Sequence, residues 1–284
     1  MSVRPTTKGH LTPGTGSVVT RFSARAEVAA FVRQVWIPEW ELAAGEQADQ
    51  LVLGYPASNV VVEPDGVAIY GPTSRASTKV LTGRGWAVGA LLKPAGVRLF
   101  TERPAELLDA EAPVEAAALH RSICEVMGRP GVTDGFGPAD PGTADGVAAY
   151  RARAAELLQD HVHALAAQRS EDGMSGDAAL ANQMADLIDE GDIRSTPQLA
   201  RTLHLSERSL QRLASRYVGM SPVLMLRRRR LQDAAERIRA EPATDLAGLA
   251  AELGFSDQAH LTREFRLVLG FTPRRYPGSP GDKA

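Results

Sequence analysis

The last hundred residues carry a weak internal duplication, and no other feature of the chain constrains its fold as tightly. LARTLHLSERSLQRLASRYVGMSP, beginning at Leu199, lies over LAAELGFSDQAHLTREFRLVLGFTP, beginning at Leu249. Leu199, Ala200, Leu203, Leu205 and Ser206 match Leu249, Ala250, Leu253, Phe255 and Ser256 at an offset of 50. After one inserted residue, Leu210, Arg212, Gly219, Ser221 and Pro222 match Leu261, Arg263, Gly270, Thr272 and Pro273 at 51. Self-similarity of this kind means that one supersecondary unit occurs twice. Thr196-Pro197 and Thr244-Asp245 supply cap and first-turn chemistry for a short helix in each copy, and Ser206 and Ser256 are placed to cap a second, longer one. Gly254 suits the position just past the first helix, and His204 takes that place in the other copy. A short helix, a tight turn and a longer helix make a helix-turn-helix unit.

The second helices divide into two faces. Leu210, Leu213 and Tyr217 share one side of the first, and Leu261, Phe265, Val268 and Leu269 one side of the second, so these are the expected core positions. The opposite sides carry Arg208, Gln211, Arg212 and Ser215 in one copy and Ala259, Thr262, Arg263 and Arg266 in the other, with Gln258 in the opening turn. Arginine can grip guanine through two hydrogen bonds, glutamine can do the same for adenine, and threonine offers a hydroxyl or a methyl contact. Faces of that composition fit a major groove. Ser206, Arg216, Ser256 and Arg266 are candidate phosphate contacts.

Between the copies runs SPVLMLRRRRLQDAAERIRA, with Ser221-Pro222 as a helix start and apolar positions at Val223, Leu226, Leu231, Ala235 and Ile238. A helix of about 15 to 18 residues is a rod of roughly 25 Å. Adding the width of each unit brings the separation towards the ~34 Å between successive major-groove windows on one face of a duplex. Arg227 to Arg230 point around the rod rather than along one side, so the expectation is that about half form salt bridges, with Asp233 or Glu236 as partners, and the rest meet phosphate. Charge agrees with this division of labour. From Ser195 to Ala284 there are 15 Lys and Arg against 9 Asp and Glu, a balance of +6, while residues 1–194 hold 17 against 25, a balance of −8. A basic module beside an acidic one points to a polyanion for the basic part alone.

The 284 residues exceed one compact domain, so at least two are expected. Residues 17–112 read as short strands. VVVEPDGVAIYGP is a hairpin with a Pro-Asp-Gly turn, and ASTKVLTGRGWAVGALL suggests a second one around Thr-Gly-Arg-Gly, together a small sandwich or barrel. Residues 113–169 turn helical, a connector that can bridge domains or pair two subunits. SEDGMSGD at 170–177 reads as a linker, with residues 1–16 a flexible leader and 277–284 a flexible tail. Cys124, the only cysteine, falls in the apolar pattern of a helix and reads as a buried small hydrophobe. No apolar run is long enough to cross a membrane and no signal peptide is recognisable, so the expected location is the cytoplasm.

On the duplicated unit, the intervening rod and above all the ending AAELGFSDQAHLTREFRLVLGFTPRRY, the chain resembles the AraC/XylS family of bacterial transcription regulators. The resemblance covers residues 177–276, with AALANQMADLID at 178–189 similar to the family's first DNA-binding helix. It implies two recognition helices, at 206–217 and 256–269, with Arg208, Gln211 and Arg212 contacting bases from the first. Gln258, Thr262 and Arg263 would contact bases or phosphates from the second. The family's aromatic at the place of Phe265 is Ala214 in the first copy, and Ala259 stands where a polar reader is common. The strand-rich part is similar to the cupin-like sensor domains of such regulators, which bind an effector or mediate dimerisation. The implied fold is α+β, the implied partners are double-stranded DNA, a small-molecule effector, a second subunit and, for an activator, RNA polymerase, and no cofactor is implied.

Two other classes of function fit parts of the sequence. A metal-dependent cupin enzyme needs several histidines on barrel strands, but His10, His120, His161, His163, His204 and His260 leave residues 11–119 without one. That argues against a metal site and leaves only an enzyme without metal. His161 and His163, two apart on a helix, point in different directions and are not a ligand pair. A helical protein-interaction module would explain the apolar faces but not outward Arg and Gln on both copies. Trp36, Trp40 and Trp86 are the aromatic residues available to line an effector pocket.

Overall fold

The computed structural model describes residues 17–52, 56–128, 144–169 and 175–276. The expected leader, the tail, most of the 170–177 linker, the Gly/Pro-rich stretch 129–143 and His10 lie outside the described residues. The N-terminal part contains β1 (Ser17–Ser23), β2 (Val32–Glu41), β3 (Gln47–Val52), β4 (Asn59–Glu63), β5 (Gly66–Tyr70), β6 (Ser77–Thr82), β7 (Arg84–Trp86), β8 (Val88–Leu92) and β9 (Glu111–Pro113). The short helix α1 (Pro94–Val97) precedes β9, and α2 (Ala117–Met127) and α3 (Ala144–Arg169) follow it. All pairings are antiparallel, in a seven-stranded sheet of order β1-β2-β8-β4-β5-β9 with β7 beside β2, and a separate two-stranded sheet of β3 and β6.

The expected Pro-Asp-Gly hairpin is β4–β5, closed by the Glu63–Gly66 pair. The second expected hairpin does not form. β6 pairs with β3, whereas β7 pairs with β2, so the chain changes sheet at Gly83, where φ is +53°. A left-handed residue turns the chain abruptly enough to leave one sheet and enter another, and it is cheap for glycine alone.

The alternation of each strand puts Val35, Ile37, Val60, Val62, Ile69, Val88 and Ala90 on one face of the large sheet. The same core takes Leu119, Ile123 and Met127 from α2 and Ala154, Leu158 and Val162 from α3. The helices read as a connector are therefore part of the first domain's core. Cys124 is buried there, and Glu39, also buried, accepts a hydrogen bond from the Tyr150 hydroxyl at 2.6 Å and pairs with Arg151. On the opposite face Trp36 and Trp40 lie over Gly89 and Gly85, their cross-strand partners. A Cβ on either glycine would overlap the indole.

The C-terminal part is entirely helical: α4 (Gly176–Glu190), α5 (Thr196–Thr202), α6 (Glu207–Tyr217), α7 (Pro222–Ala240), α8 (Leu246–Glu252) and α9 (Gln258–Leu269). The molecule is thus α+β, an antiparallel sheet domain followed by an all-helical one. α4 docks on the sheet domain through Asn182, which donates to the Ala30 carbonyl at 2.7 Å and accepts from the Ala95 N–H at 3.0 Å. Arg33 pairs with Asp186 at 3.0 Å and with Asp189, and Lys93 reaches Asp186 at 3.5 Å. Gly219, at φ +79°, is pressed against the Pro104 carbonyl where no side chain fits. No helix among the described residues is long and apolar enough to cross a membrane.

Gly89→Ala is expected to destabilise the fold by about 1–3 kcal/mol through overpacking against Trp36, measured by urea unfolding. Combining it with Trp36→Leu should recover part of the loss, and strict additivity of the two would show that the glycine is not there to accommodate the indole.

Candidate nucleic-acid interface

Each helix of the duplicated units starts on a side-chain cap, and the caps reveal how the copies correspond. Ser195 accepts from Gln198 N–H at 3.3 Å to open α5, and Asp245 accepts from Ala247 and Gly248 N–H, both at 3.0 Å, to open α8. The first cap is therefore Ser195, one residue before the Thr196-Pro197 pair. Both helices end at a left-handed residue, His204 at φ +54° and Gly254 at φ +74°. The first copy thus bears a non-glycine residue in a conformation that usually selects glycine.

Ser206 caps α6, its oxygen accepting from Ser209 N–H at 3.1 Å. In the second copy that role falls to Asp257, which accepts from His260 N–H at 2.6 Å, and not to Ser256. Ser206 and Asp257 differ by 51, so the inserted residue of the repeat is Ser256 itself, in the turn. Its hydroxyl lies 3.1 Å from His260 Nδ1 and 3.4 Å from Asp257 Oδ2. The His260 backbone N–H holds the Asp257 carboxyl below the usual carboxylate range, with Arg263 adding to the effect, so the cap stays charged where it meets the positive end of the α9 dipole.

The apolar sides of both second helices are buried as their spacing demands: Leu210, Leu213 and Tyr217 in one, Leu261, Phe265, Val268 and Leu269 in the other. Phe265 makes edge contacts with Phe271 and Tyr276, at 6.1 and 5.9 Å between ring centres. Its counterpart Ala214 is fully buried, and its small side chain leaves room for α4, which packs on α6 and brings Ala181 and Met184 into the same core. The two units are therefore completed differently, one by an extra helix and one by C-terminal aromatics.

On the outer sides, Arg208, Gln211, Arg212 and Ser215 of α6 are exposed, as are Gln258, Ala259, Arg263 and Arg266 of α9, while Thr262 is half-buried. Both sets of candidate base-contacting residues face solvent on helices whose backs are fixed. Of the candidate phosphate contacts, Ser206 and Ser256 are engaged in the turns just described, and Arg216 pairs with Asp177 at 3.1 Å with its guanidinium 5.6 Å from the Tyr217 ring.

The spacer α7 has 19 residues, about 28 Å of helix. Leu226, Leu231, Ala235 and Ile238 are buried as expected, but Val223 is 58% exposed. It lies in the first turn, off the stripe. The four arginines are used inside the protein to a greater degree than the one in two expected from the sequence. Arg227 pairs with Glu264 of α9, Arg229 with Asp233 at 3.2 Å, and Arg230 donates to the Gly254 carbonyl at 3.0 Å while lying 5.0 Å over the Phe255 ring. Arg228 is only 1% exposed; burial pushes its guanidinium down to about 10, and the charge of Asp109 opposes that shift. A second clamp joins the units directly: Arg194, ahead of α5, donates to the Glu252 carbonyl at the end of α8, and Arg237 pairs with the Glu252 carboxylate at 2.9 Å. The Arg229–Asp233 pair is one the sequence pointed to; the other positioning contacts were not legible, since their partners are distant in sequence or are backbone carbonyls.

The three tryptophans do not share a face. Trp36 and Trp40 are half-buried on the side towards β3 and β6, with Trp36 Nε1 donating to Asn59 Oδ1 at 3.0 Å and Trp40 Nε1 to the Thr82 carbonyl at 3.2 Å. Trp86 is fully buried in the core on the helix side, where Nε1 donates to the Gly128 carbonyl at 2.7 Å. No cluster of three or more His, Cys, Asp or Glu suited to a metal occurs among the described residues. Burial lowers the His161 pKa from its ordinary value.

Two amphipathic helix-turn-helix units held apart by a stiff helix and attached to a sheet domain define the class of one-chain, DNA-binding transcription regulators. A family described as "Helix-turn-helix domain" matches residues 199–278, and a "Domain of unknown function (DUF6597)" matches residues 20–113. The helix-turn-helix domain at residues 199–278 is of the AraC type. No curated protein matches it. Among solved structures it is similar to ToxT from Vibrio cholerae bound to unsaturated fatty acid, at 11% identity and a TM-score of 0.38, covering 91% of this chain and 94% of that one. It is also similar to the AraC-like transcriptional activator CuxR, at 14% identity and a TM-score of 0.23, covering 78% and 87%.

Glu264→Ala, which strands Arg227 beside Arg230, is expected to cost about 1.5–3 kcal/mol of stability by urea unfolding. The double variant Arg227→Met/Glu264→Leu should regain most of it, and failure to do so would show that the helices are held by something other than this pair.

Proposed function

We propose that this chain binds one DNA site through two adjacent major-groove windows. Arg208, Gln211 and Arg212 would read bases from α6, and Gln258, Thr262 and Arg263 would contact bases or phosphates from α9. The observation that carries this reading is the pairing of exposed Arg and Gln on both second helices with a rigid spacer of about 28 Å. A protein-interaction module would need the same buried backs but has no use for that composition on both fronts. Of the candidate phosphate contacts Arg266 is the best placed in this scheme, since its guanidinium is exposed and forms no ion pair with another described residue.

The sheet domain is proposed to take a small-molecule effector between the large sheet and the β3–β6 pair. Trp36 and Trp40 bring aromatic surface to that space, and their N–H groups are already committed to Asn59 and Thr82. A ligand there would meet apolar ring faces beside the Tyr70 hydroxyl, which donates to Glu63 at 2.9 Å. Such a mixture of apolar walls with a few fixed polar groups is typical of small-molecule sites. The reading implies a cytoplasmic protein, with a second subunit and RNA polymerase as further partners.

In vitro selection of duplex DNA by the full chain is expected to return a site with two conserved blocks about one helical turn apart. Arg212→Ala should relax the preference within one block at a cost of about 1–3 kcal/mol while sparing the other; selection of no common sequence would refute the reading. For the sheet domain, a screen of small molecules should find binders that change tryptophan emission in the wild-type protein and not in Trp36→Phe/Trp40→Phe. A response carried by Trp86 alone would place the site elsewhere.

A further inference from the structure

One basic groove is built by both domains, bringing sheet-domain residues beside Arg263 and Arg266 of α9. The segment Gly71–Ala76 of the sheet domain is fastened at several points. Gly71 N–H donates to the Ala110 carbonyl at 3.0 Å, the Pro72 carbonyl accepts from Asp109 N–H at 3.0 Å, and Ser74 N–H donates to Asp109 Oδ1 at 2.5 Å. Its far end crosses to the helical domain, where Ala76 N–H donates to the Val268 carbonyl at 2.7 Å and Ala76 packs against the core of the second unit. Val268 is in the last turn of α9, whose final carbonyls have no partner within the helix. The sheet domain thus supplies one of the hydrogen bonds that close the second recognition helix.

This fastening sets Arg75 beside α9. Arg75, Ala76 and Thr78 line one side of an open groove, and Arg263, Arg266 and Leu267 the other. Arg75, Arg263 and Arg266 are all exposed, none of them forms an ion pair with another described residue, and no residue lining the groove is acidic. Three guanidiniums gathered without a carboxylate repel one another, and an anion between them relieves that repulsion. A duplex that receives α9 in its major groove carries a ridge of phosphates on each side of the helix. Arg263 and Arg266, three residues apart, share a flank of α9, so the ridge on that flank passes along this groove.

We propose that Arg75 of the sheet domain is a DNA-backbone contact, completing with Arg266 a phosphate site at the second unit. The sheet domain then takes a direct part in holding DNA rather than acting only through the helices. This rests on the reading of α9 as a recognition helix. Because a phosphate contact positions without reading sequence, it should act alike on every duplex.

The test uses the full chain and fluorescence anisotropy over a salt series, with the selected duplex and with an unrelated one. Arg75→Ala is expected to weaken both to the same degree and to flatten the plot of log affinity against log salt by about 0.9, while Arg75→Lys keeps most of the wild-type slope. An unchanged slope and affinity in Arg75→Ala, with Arg263→Ala still impaired, would overturn the proposal and leave the regulator reading intact. Tighter binding by Arg75→Ala would overturn it as well, by showing that the segment obstructs the duplex. Absence of duplex binding by the wild-type chain would overturn both readings together.

Discussion

The arrangement of α6 and α9 depends on how α7 is anchored at its middle. A helix that merely spans 28 Å could rotate about its axis and carry its two neighbours to any relative angle. Here two arginines fix the rotation against the second unit, Arg227 through Glu264 on α9 and Arg230 through the Gly254 carbonyl in the second turn, while Arg229 pairs with Asp233 within α7 itself. Arg228 between them is buried, and the charge of Asp109 opposes the lowering of its pKa by burial. Taking guanidiniums out of water is costly, so such a set persists only where the surrounding geometry satisfies it.

The sheet domain extends that logic to both units. Asn182 and the Arg33–Asp186 pair tie it to the first, Pro104 meets Gly219 at the end of α6, and Ala76 holds the end of α9. Asp109 is central to this contact: its backbone adopts a left-handed conformation at φ +57°, its N–H and carboxylate hold the 71–76 segment, and its charge faces Arg228. The strand β6 that follows this segment ends at Thr82, whose carbonyl receives the Trp40 indole. One continuous segment therefore connects the strand beside Trp40 to the end of α9.

Much of the helical domain was legible because its determinants are local. Caps, left-handed stops and apolar stripes each depend on residues within one or two turns, so the helices at 196–202, 207–217, 246–252 and 258–269 follow from their own sequence. The departures are instructive. Ser256 resembles a cap in composition, but the one-residue insertion moves the capping position to Asp257. The Thr-Gly-Arg-Gly segment carries the residues of a hairpin turn, yet its flanking strands belong to different sheets, because strand partners are chosen by long-range pairing and not by the turn alone. Trp86 and Trp40 are both tryptophans near one edge of the sheet, but strand alternation sends them to opposite faces.

The sequence by itself determined that two like helix-turn-helix units exist, which sides of their second helices are buried, that a helix separates them, and that an antiparallel sheet precedes them. These follow from periodicity and capping, which act over a few residues and are written in consecutive side chains. Only the tertiary structure decided where the arginines of the spacer end, which domain closes α9, and that the helices after the sheet are part of its core rather than a free connector. Those outcomes depend on groups brought together from distant parts of the chain, and a charge run carries no mark of whether its partner will be a carboxylate, a backbone carbonyl or a phosphate.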